Sequence, residues 1–233
     1  MPENVKKLLM THFEQELTTL KEKLLTMAGR AESAVSQAIK AVVERDDDLA
    51  RKVKEDDSAI DSFEVEIDDI AIHLLAKAPL ASDLRLITVA MKISHDLERV
   101  GDEATTISRR SLELSKEPPL KSYVDIPRMA NIALSMLREG LEAFVNRRPE
   151  QARAVIPRDK EVDQLNKQLH RELAGFMVES PDTIARCLNL MVISKSLERI
   201  ADHATNIAEE VVFLHEAKDI RHTANAKGTV PPA

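Results

Sequence analysis

The hydrophobic residues of this chain recur at helical spacing over most of its length. Apolar side chains in the first fifty residues fall three and four positions apart, as in Leu17, Leu20, Leu24, Met27, Ala28, Ala31, Val35, Ala38 and Val42. This spacing predicts a long amphipathic helix from about residue 10. The acidic cluster Asp46–Asp48 is suited to cap a second helix, which we expect to run to about Lys77.

Prolines divide the remaining pattern. Pro79 should end the second helix, with Ser82 and Asp83 as candidate caps for a third helix at about 84–114. The segment 116–121 contains adjacent prolines and cannot continue a helix. Beyond it we predict a fourth helix at about 124–147, a fifth beginning near Pro149, and a sixth beginning near Ser180-Pro181 with the serine as cap.

Two segments 100 residues apart reveal an internal repeat. Ile93-Ser94-His95-Asp96-Leu97-Glu98-Arg99-Val100-Gly101-Asp102-Glu103-Ala104-Thr105-Thr106-Ile107 and residues 193–207 are identical at nine of fifteen positions, where unrelated sequences would share about one. The flanks agree, since Asp57–Asp61 corresponds to Asp159–Asp163 and Pro79 to Pro181. A duplicated three-helix unit is therefore the predicted architecture, and the fold class is all-α with two tandem bundles related by a pseudo-two-fold axis.

The repeat sets the predicted domain limits. We assign the first three-helix unit to residues 1–115, a proline-rich linker to 116–123, the second unit to 124–218, and a disordered tail to 219–233. Five glycines, no tryptophan and one tyrosine suit long helices better than sheets.

Composition and charge exclude several classes of protein. The formal charge of −7 is spread in patches of mixed sign without a basic block, and aromatic residues are too few to stack on bases, so nucleic acid is not an expected partner. Cys187 is the single cysteine, so no internal disulfide can form and a reducing compartment is expected. No apolar run reaches the ~20 residues of a membrane span. We therefore expect a cytoplasmic protein without direct membrane insertion.

Pairs of carboxylates four residues apart recur in both copies. On a helix, such a pair projects from one face, with Cβ atoms roughly 5–6 Å apart. If the second and third helices of each unit pack antiparallel, two pairs converge on one site of oxygen ligands, which suits magnesium, manganese or iron and admits zinc. The predicted metal ligands are Asp57, Asp61, Glu98 and Asp102 in the first copy, and Asp159, Asp163, Glu198 and Asp202 in the second.

A charged helix face without metal is the competing interpretation, because acidic pairs at this spacing are common by chance. His203 is a candidate accessory ligand. Arg99 and Arg199 could hold an anion, although an arginine beside a glutamate more often forms an ion pair. No histidine follows a glutamate by three residues, as ferritin-like di-iron bundles require, and no catalytic motif is apparent.

In these segments the chain resembles the PhoU family of phosphate-transport regulators. The resemblance covers about residues 10–215 and includes Asp83-Leu84-Arg85, Asp96–Asp102 and Leu197–Ile207. It implies two three-helix bundles with metal bound at the eight carboxylates named above, and no catalytic residues. Thr106 stands where the family pattern has asparagine, and Pro157 should kink the fifth helix near Asp159.

The resemblance also implies a role and partners. The role is negative regulation of the phosphate ABC transporter and of the phosphate-starvation two-component system. The transporter's ATPase subunit and the sensor histidine kinase are the implied partners, a homodimer is expected, and location at the inner face of the membrane would come through protein partners. A carboxylate-bridged metal oxidase or hydrolase, and a helical adaptor without metal, are the alternative functions.

Overall fold

The protein is helical throughout the part that its structure, a computed structural model, describes, namely residues 3–77 and 80–221 with side chains from residue 12 onward. No strand occurs in those ranges, which confirms the all-α prediction. The helices are α1 (Glu3–Glu44), α2 (Asp47–Asp56), α3 (Ser58–Leu75), α4 (Ala81–Leu114), α5 (Asp125–Asn146), α6 (Pro149–Val155), α7 (Asp159–Glu179) and α8 (Ile184–Glu216), with 3₁₀ turns at Ile156–Arg158 and Pro181–Thr183.

Each repeat consists of a long first helix, a broken middle helix and a long third helix. In the first repeat these are α1, α2–α3 and α4, and in the second they are α5, α6–α7 and α8. Within each repeat, the first and middle helices both pack on the third. The third helices α4 and α8 pack against each other and join the repeats, which confirms the predicted pair of three-helix bundles.

The middle helix differs from the prediction of one continuous element. In the first repeat it is interrupted at Asp57, which ends α2 and precedes α3 with φ −59° and ψ −41°. No proline or glycine occurs at this point, so the break could not be predicted from the residue types there. In the second repeat Pro157 lies in the 3₁₀ turn that separates α6 from α7, as its missing N–H would dictate.

The helix caps confirm some predictions and correct others. Asp46 caps α2 by accepting a hydrogen bond from Leu49 N at 2.9 Å, as predicted. Leu80, and neither Ser82 nor Asp83, occupies the N-cap position of α4, without a side-chain cap. Ser180 precedes the 3₁₀ turn before α8 but its hydroxyl makes no cap hydrogen bond. The predicted break at Pro79 and tail residues 222–233 lie outside the described residues.

Apolar stripes from all the helices form one continuous core. Leu20, Leu24 and Met27 of α1 are fully buried, as are Ile93 and Leu97 of α4. Burial of each such side chain contributes about 1.5–3 kcal/mol. No described helix is long and apolar enough to cross a bilayer.

Polar contacts between α4 and α8 are distributed along the junction of the repeats. Arg199 Nη1 donates to Glu103 Oε1 at 3.0 Å, and Lys92 Nζ donates to Glu210 Oε1 at 2.9 Å. Asp96 Oδ1 lies 2.8 Å from His203 Nδ1. These pairings run in opposite chain directions, so α4 and α8 are antiparallel and the pseudo-two-fold axis crosses between them.

Candidate metal centres

The first centre lies where α3 begins beside the middle of α4. Asp57 precedes α3 and Asp61 lies in its first turn, while Glu98 and Asp102 project from α4. Gly101 permits this approach, because a Cβ there would lie 3.0 Å from Ile60 Cδ1 and 3.2 Å from Asp57 Oδ1. The missing side chain therefore lets the start of α3 approach α4 closely.

These carboxylates lie close enough to interact electrostatically, but no three of the four bring ligand atoms within 4.8 Å of one another. Burial raises the pKa of Asp57, with further increases from Asp61 and Asp102, although the Thr105 hydroxyl opposes the shift. Burial also raises the pKa of Glu98, and Asp102 is the next contributor. Like charges held in a partly buried site raise one another's pKa because ionisation becomes more costly.

The Arg99 side chain already pairs with two carboxylates of this centre. Arg99 Nη1 donates to Asp102 Oδ2 at 3.0 Å, and Arg99 Nε lies 3.2 Å from Glu98 Oε2. The second contact is an ion pair without hydrogen-bond alignment. Glu98 Oε2 is shielded from solvent and therefore has no hydrogen-bond partner beyond this contact. The arginine thus neutralises charge but leaves a carboxylate oxygen available to a ligand.

The second centre repeats the arrangement at the start of α7. Asp159 and Asp163 lie in the first turns of α7, and Glu198 and Asp202 project from α8. Burial raises the pKa of Asp159, as do Asp163 and Glu198. Burial, with Asp159 and Glu198, raises the pKa of Asp202 to about 6. Carboxylates on each helix therefore raise the pKa of a carboxylate on the other, despite the predicted distortion at Pro157, although no three of the four bring ligand atoms within 4.8 Å of one another.

Lysines approach the second centre where the first has an arginine. Lys195 forms a close ion pair with Glu198, and Lys167 Nζ lies 3.6 Å from Asp163 Oδ2. Asp159 Oδ1 and Glu198 Oε2 are shielded from solvent and make no hydrogen bond. Arg199 is turned away towards Glu103 of the other repeat. Unpartnered buried carboxylate oxygens are unfavourable unless a cation completes the site.

A histidine and a further glutamate extend the first centre. Ligand atoms of Glu64, His95 and Glu98 lie within 4.8 Å of one another, the one such group of three metal-ligating residues among the described side chains. His95 Nδ1 lies 3.1 Å from Glu64 Oε1. Glu64 and His95 were missed in the sequence, although the spacing His95-x-x-Glu98 places both side chains on one face of α4.

The remaining candidates take other roles. His203, expected as an accessory ligand, directs Nδ1 to Asp96. Arg99 and Arg199 are both ion-paired, as the less specific interpretation predicted. The two centres border a shared cleft of about 570 Å³, lined by Asp102 on one side and Asp202 on the other.

Both repeats match a known protein family. The chain matches the PhoU domain family twice, at residues 24–111 and 126–211. It is 40% identical over 225 residues to the phosphate-specific transport system accessory protein PhoU homolog of Pseudomonas putida, which covers 93% of this chain and 88% of that protein. The corresponding protein PhoU of Escherichia coli K12 is 34% identical over 220 residues, covering 94% and 91%.

Solved structures show the same fold. The crystal structure of PhoU from Pseudomonas aeruginosa superposes with a TM-score of 0.86 at 39% identity, covering 88% of this chain and 100% of that one. The phosphate transport system regulatory protein PhoU from Streptococcus pneumoniae gives a TM-score of 0.84 at 29% identity, covering 89% and 99%.

Proposed function

This chain belongs to the PhoU family, and from that premise we propose that it is a non-catalytic, metal-binding regulator of phosphate uptake. One observation carries the regulatory role: relatives named as accessory proteins of the phosphate-specific transport system match nearly the whole chain, including both repeats. A shared fold alone would not support a shared function. Here the similarity extends through the carboxylate-bearing segments of both third helices.

We further propose that the two centres bind divalent or trivalent metal ions. The residues fit such ions because Asp159 Oδ1 is shielded from solvent without a hydrogen-bond partner, and the shielded Oε2 atoms of Glu98 and Glu198 are held only by ion pairs with Arg99 and Lys195. Burial and neighbouring carboxylates raise the pKa values of Asp57 and Asp202, and a bound cation would offset both costs of ionisation. Asp61, Asp102 and Asp163 complete the two ligand sets.

The ligand types narrow the choice of metal. The second centre offers carboxylate oxygens alone, which suit magnesium, manganese or iron. The first centre adds the His95 imidazole through its Glu64–His95–Glu98 group, and an imidazole favours zinc or iron. Arg99 and Lys195 would have to leave their carboxylates when metal enters, so metal affinity should depend on ionic strength.

The Glu64–His95–Glu98 group also favours the second candidate function, a carboxylate-bridged metal enzyme. Mixed carboxylate and imidazole ligands with an open cleft beside them are common in catalytic metal sites. Assays of metal-dependent oxygen consumption and of phosphatase activity, on protein loaded separately with each candidate metal, distinguish the two functions. Metal-dependent turnover by wild type that is lost in the His95→Ala variant would support the enzyme and contradict the non-catalytic regulator.

The proposed partners are the ATPase subunit of the phosphate transporter and the phosphate sensor histidine kinase, with this protein acting from the cytoplasmic side as a homodimer. Deletion of the gene in its host should derepress phosphate-starvation genes in phosphate-rich medium or raise phosphate uptake. The measurement is transcript abundance together with uptake of radiolabelled phosphate. Unchanged transcripts and uptake would contradict the proposed role.

Co-purification tests partners and metal together. Tagged protein should retain the ATPase subunit and the sensor kinase when metal is present. The variant Glu198→Gln/Asp202→Asn should show whether the second centre supports that association. Glu150→Gln/Glu179→Gln, at exposed residues of α6 and α7, serves as the charge-matched control. Retention of neither partner by wild-type protein would contradict the partner assignment, whatever the metal content.

A further inference from the structure

A further cleft lies at the junction of the repeats, apart from the two carboxylate centres. It occupies about 380 Å³ between α1, the start of α4, the end of α5 and the end of α8, and is lined by Lys21, Leu25, Ser82, Asp83, Leu86, Phe144, Val145, Arg147, Leu214 and His215. It contains none of the eight predicted metal ligands. Its lining combines basic side chains with an apolar wall.

Arg147 is the most informative residue of this cleft. It follows α5 in a left-handed conformation with φ 55°, as Arg45 follows α1 with φ 58° at the equivalent position of the first repeat. A residue other than glycine adopts this conformation at a cost of about 1 kcal/mol. Both repeats therefore hold an arginine in the same unusual backbone geometry.

The two arginines differ in what their side chains bind. Arg45 Nη2 donates to the carbonyl oxygens of Leu114 at 3.0 Å and Ser115 at 2.9 Å, and also to that of Glu117. The Arg147 side chain makes no hydrogen bond or ion pair with any residue in the described ranges 3–77 and 80–221. Its five N–H donors therefore lack the protein acceptors that the equivalent arginine has.

The linker explains this difference. At the first repeat's end of the junction, segment 115–121 lies against Arg45, and Arg186 Nη1 donates to Pro118 O at 3.2 Å while its Nε lies 3.2 Å from Glu117 Oε2. The chain after α8 takes a different course, with Arg221 paired to Asp219 and Glu210. Among the described residues, none supplies the corresponding acceptors to Arg147 in the cleft at the other end.

Two further basic groups face Arg147. Burial lowers the pKa of Lys21, and the charge of Arg147 lowers it further. The same two causes, in the same order, lower the pKa of His215. His215 Nε2 is shielded from solvent and makes no hydrogen bond. Asp83 is the single acidic residue of the lining and forms no ion pair with a described residue, so basic groups outnumber it.

We propose that this cleft binds a small organic anion whose phosphate or carboxylate group is held by Lys21, Arg147 and His215. Arginine binds such planar or tetrahedral oxyanions through paired hydrogen bonds, and lysine adds a point charge. The Ser82 hydroxyl offers a further donor on the rim.

The apolar wall specifies the rest of the ligand. Phe144 is 5% exposed at the base of the cleft, whereas Leu25 and Val145 are 39% and 50% exposed on its sides. Inorganic phosphate would leave these surfaces in water, but a compact apolar body would cover them. The volume falls within the range of about 300–1,000 Å³ that is typical of small-molecule sites. This proposal does not depend on metal binding or on the regulatory role.

Calorimetric titration of the full chain tests the proposal. Metal is first removed and the chelator dialysed away, so that phosphate cannot bind through a metal ion. Phenyl phosphate should bind with one site per chain and at least about tenfold more tightly than inorganic phosphate. Phenol, which has the apolar body without the charge, should give no saturable binding. Equal affinity for phenyl phosphate and inorganic phosphate would overturn the assignment of an organic ligand.

Two variants locate the binding. Arg147→Asn keeps a residue that tolerates the left-handed conformation, and Lys21→Met keeps the aliphatic stem, so both should fold. Each variant should lower the affinity for phenyl phosphate at least about tenfold. Arg148 is exposed and lies outside the cleft, so Arg148→Gln should bind phenyl phosphate like wild type. Unchanged affinity in Arg147→Asn, or no saturable binding by wild type at millimolar phenyl phosphate, would overturn the proposal.

Discussion

The two carboxylate centres share a backbone plan but differ in the cations and ligands around them. At the position of His95 the second repeat has Lys195, and at the position of Glu64 it has Asn166. The ligand atoms of His95, Glu64 and Glu98 lie within 4.8 Å of one another, whereas Lys195 pairs with Glu198. Asn166 is buried and accepts a hydrogen bond from Ser194 at 2.7 Å. Duplication has therefore preserved the paired carboxylates while the residues around them diverged.

The largest expected effect is loss of a whole centre. Glu198→Gln with Asp202→Asn should remove about half of the bound metal and leave the fold intact, because side-chain volume is kept and like-charge repulsion disappears. Glu98→Gln with Asp102→Asn should remove the other half. Elemental analysis gives the metal content, and melting with and without chelator gives the metal-dependent stabilisation, which grows as RT ln(1 + [L]/Kd).

Equal metal content in wild type and both double variants would show that the replaced carboxylates are ordinary charged helix residues and do not bind metal. A wild-type melting temperature that ignores both chelator and added metal would have the same meaning. Metal lost from one double variant alone would show that the two centres are not equivalent, and would assign all binding to that repeat.

A smaller effect should follow from exchanging the residues that distinguish the centres. His95→Lys should lower the zinc affinity of the first centre by at least about 10–100-fold, the loss that removal of an outer-shell partner already causes. Magnesium affinity should change less because magnesium prefers oxygen ligands. Lys195→His should raise zinc affinity at the second centre. Each affinity is measured with the other centre removed, and unchanged zinc affinity in both exchanges would contradict the role assigned to His95.

The smallest effect concerns pH and the metal-free protein. The pKa of Asp202 rises from 3.8 to about 6 on folding, so the folded state binds its proton more tightly than the unfolded state. The free energy of unfolding should therefore decrease as pH rises from about 4 through about 6. Above about pH 6, where Asp202 is ionised in the folded protein, the decrease is complete. Asp202→Asn should stabilise chelator-treated protein at pH 8 by no more than about 1 kcal/mol, because much of Asp202 is exposed and screened by solvent.

The matched variant in the first repeat should behave differently. Asp102 accepts a hydrogen bond from Arg99 at 3.0 Å, so Asp102→Asn removes a favourable ion pair together with the repulsion from Asp57 and Glu98. Its free energy of unfolding should stay unchanged or fall by about 0.5 kcal/mol. Chemical unfolding of both variants at pH 5 and pH 8 checks the difference. Equal stabilisation by both would contradict the proposed asymmetry of the two centres.

Helical periodicity and the repeat were sufficient to predict the fold, because amphipathic stripes and proline breaks act locally. The interruption at Asp57 was not predictable, since its dihedral angles remain helical and no residue there opposes a helix. The predicted domain limits, 1–115, 116–123, 124–218 and the tail 219–233, remain predictions. The eight carboxylates were found by repetition, and their role as metal ligands also remains a prediction.

The sequence could not show which carboxylates would be neutralised by the chain itself. Arg99 and Arg199 occupy equivalent positions, yet Arg99 pairs within its own repeat and Arg199 pairs with Glu103 across the junction. The difference arises because the residue that faces Arg199 across the junction is the acidic Glu103, whereas the equivalent residue of the second repeat is His203, which offers Arg99 no carboxylate. Glu64 was missed because its relation to His95 arises from packing of α3 on α4, which spacing along one helix does not reveal.

The contacts between α4 and α8 also determine which halves can assemble. Two first repeats in the same antiparallel arrangement would place Asp96 opposite Glu103 twice, where the protein has Asp96 opposite His203. Two second repeats would place Arg199 opposite His203 twice, where the protein has Arg199 opposite Glu103. Either pairing sets like charges together, at least when the histidine is protonated. If the gene were split at the linker, the two fragments should therefore select each other over copies of themselves.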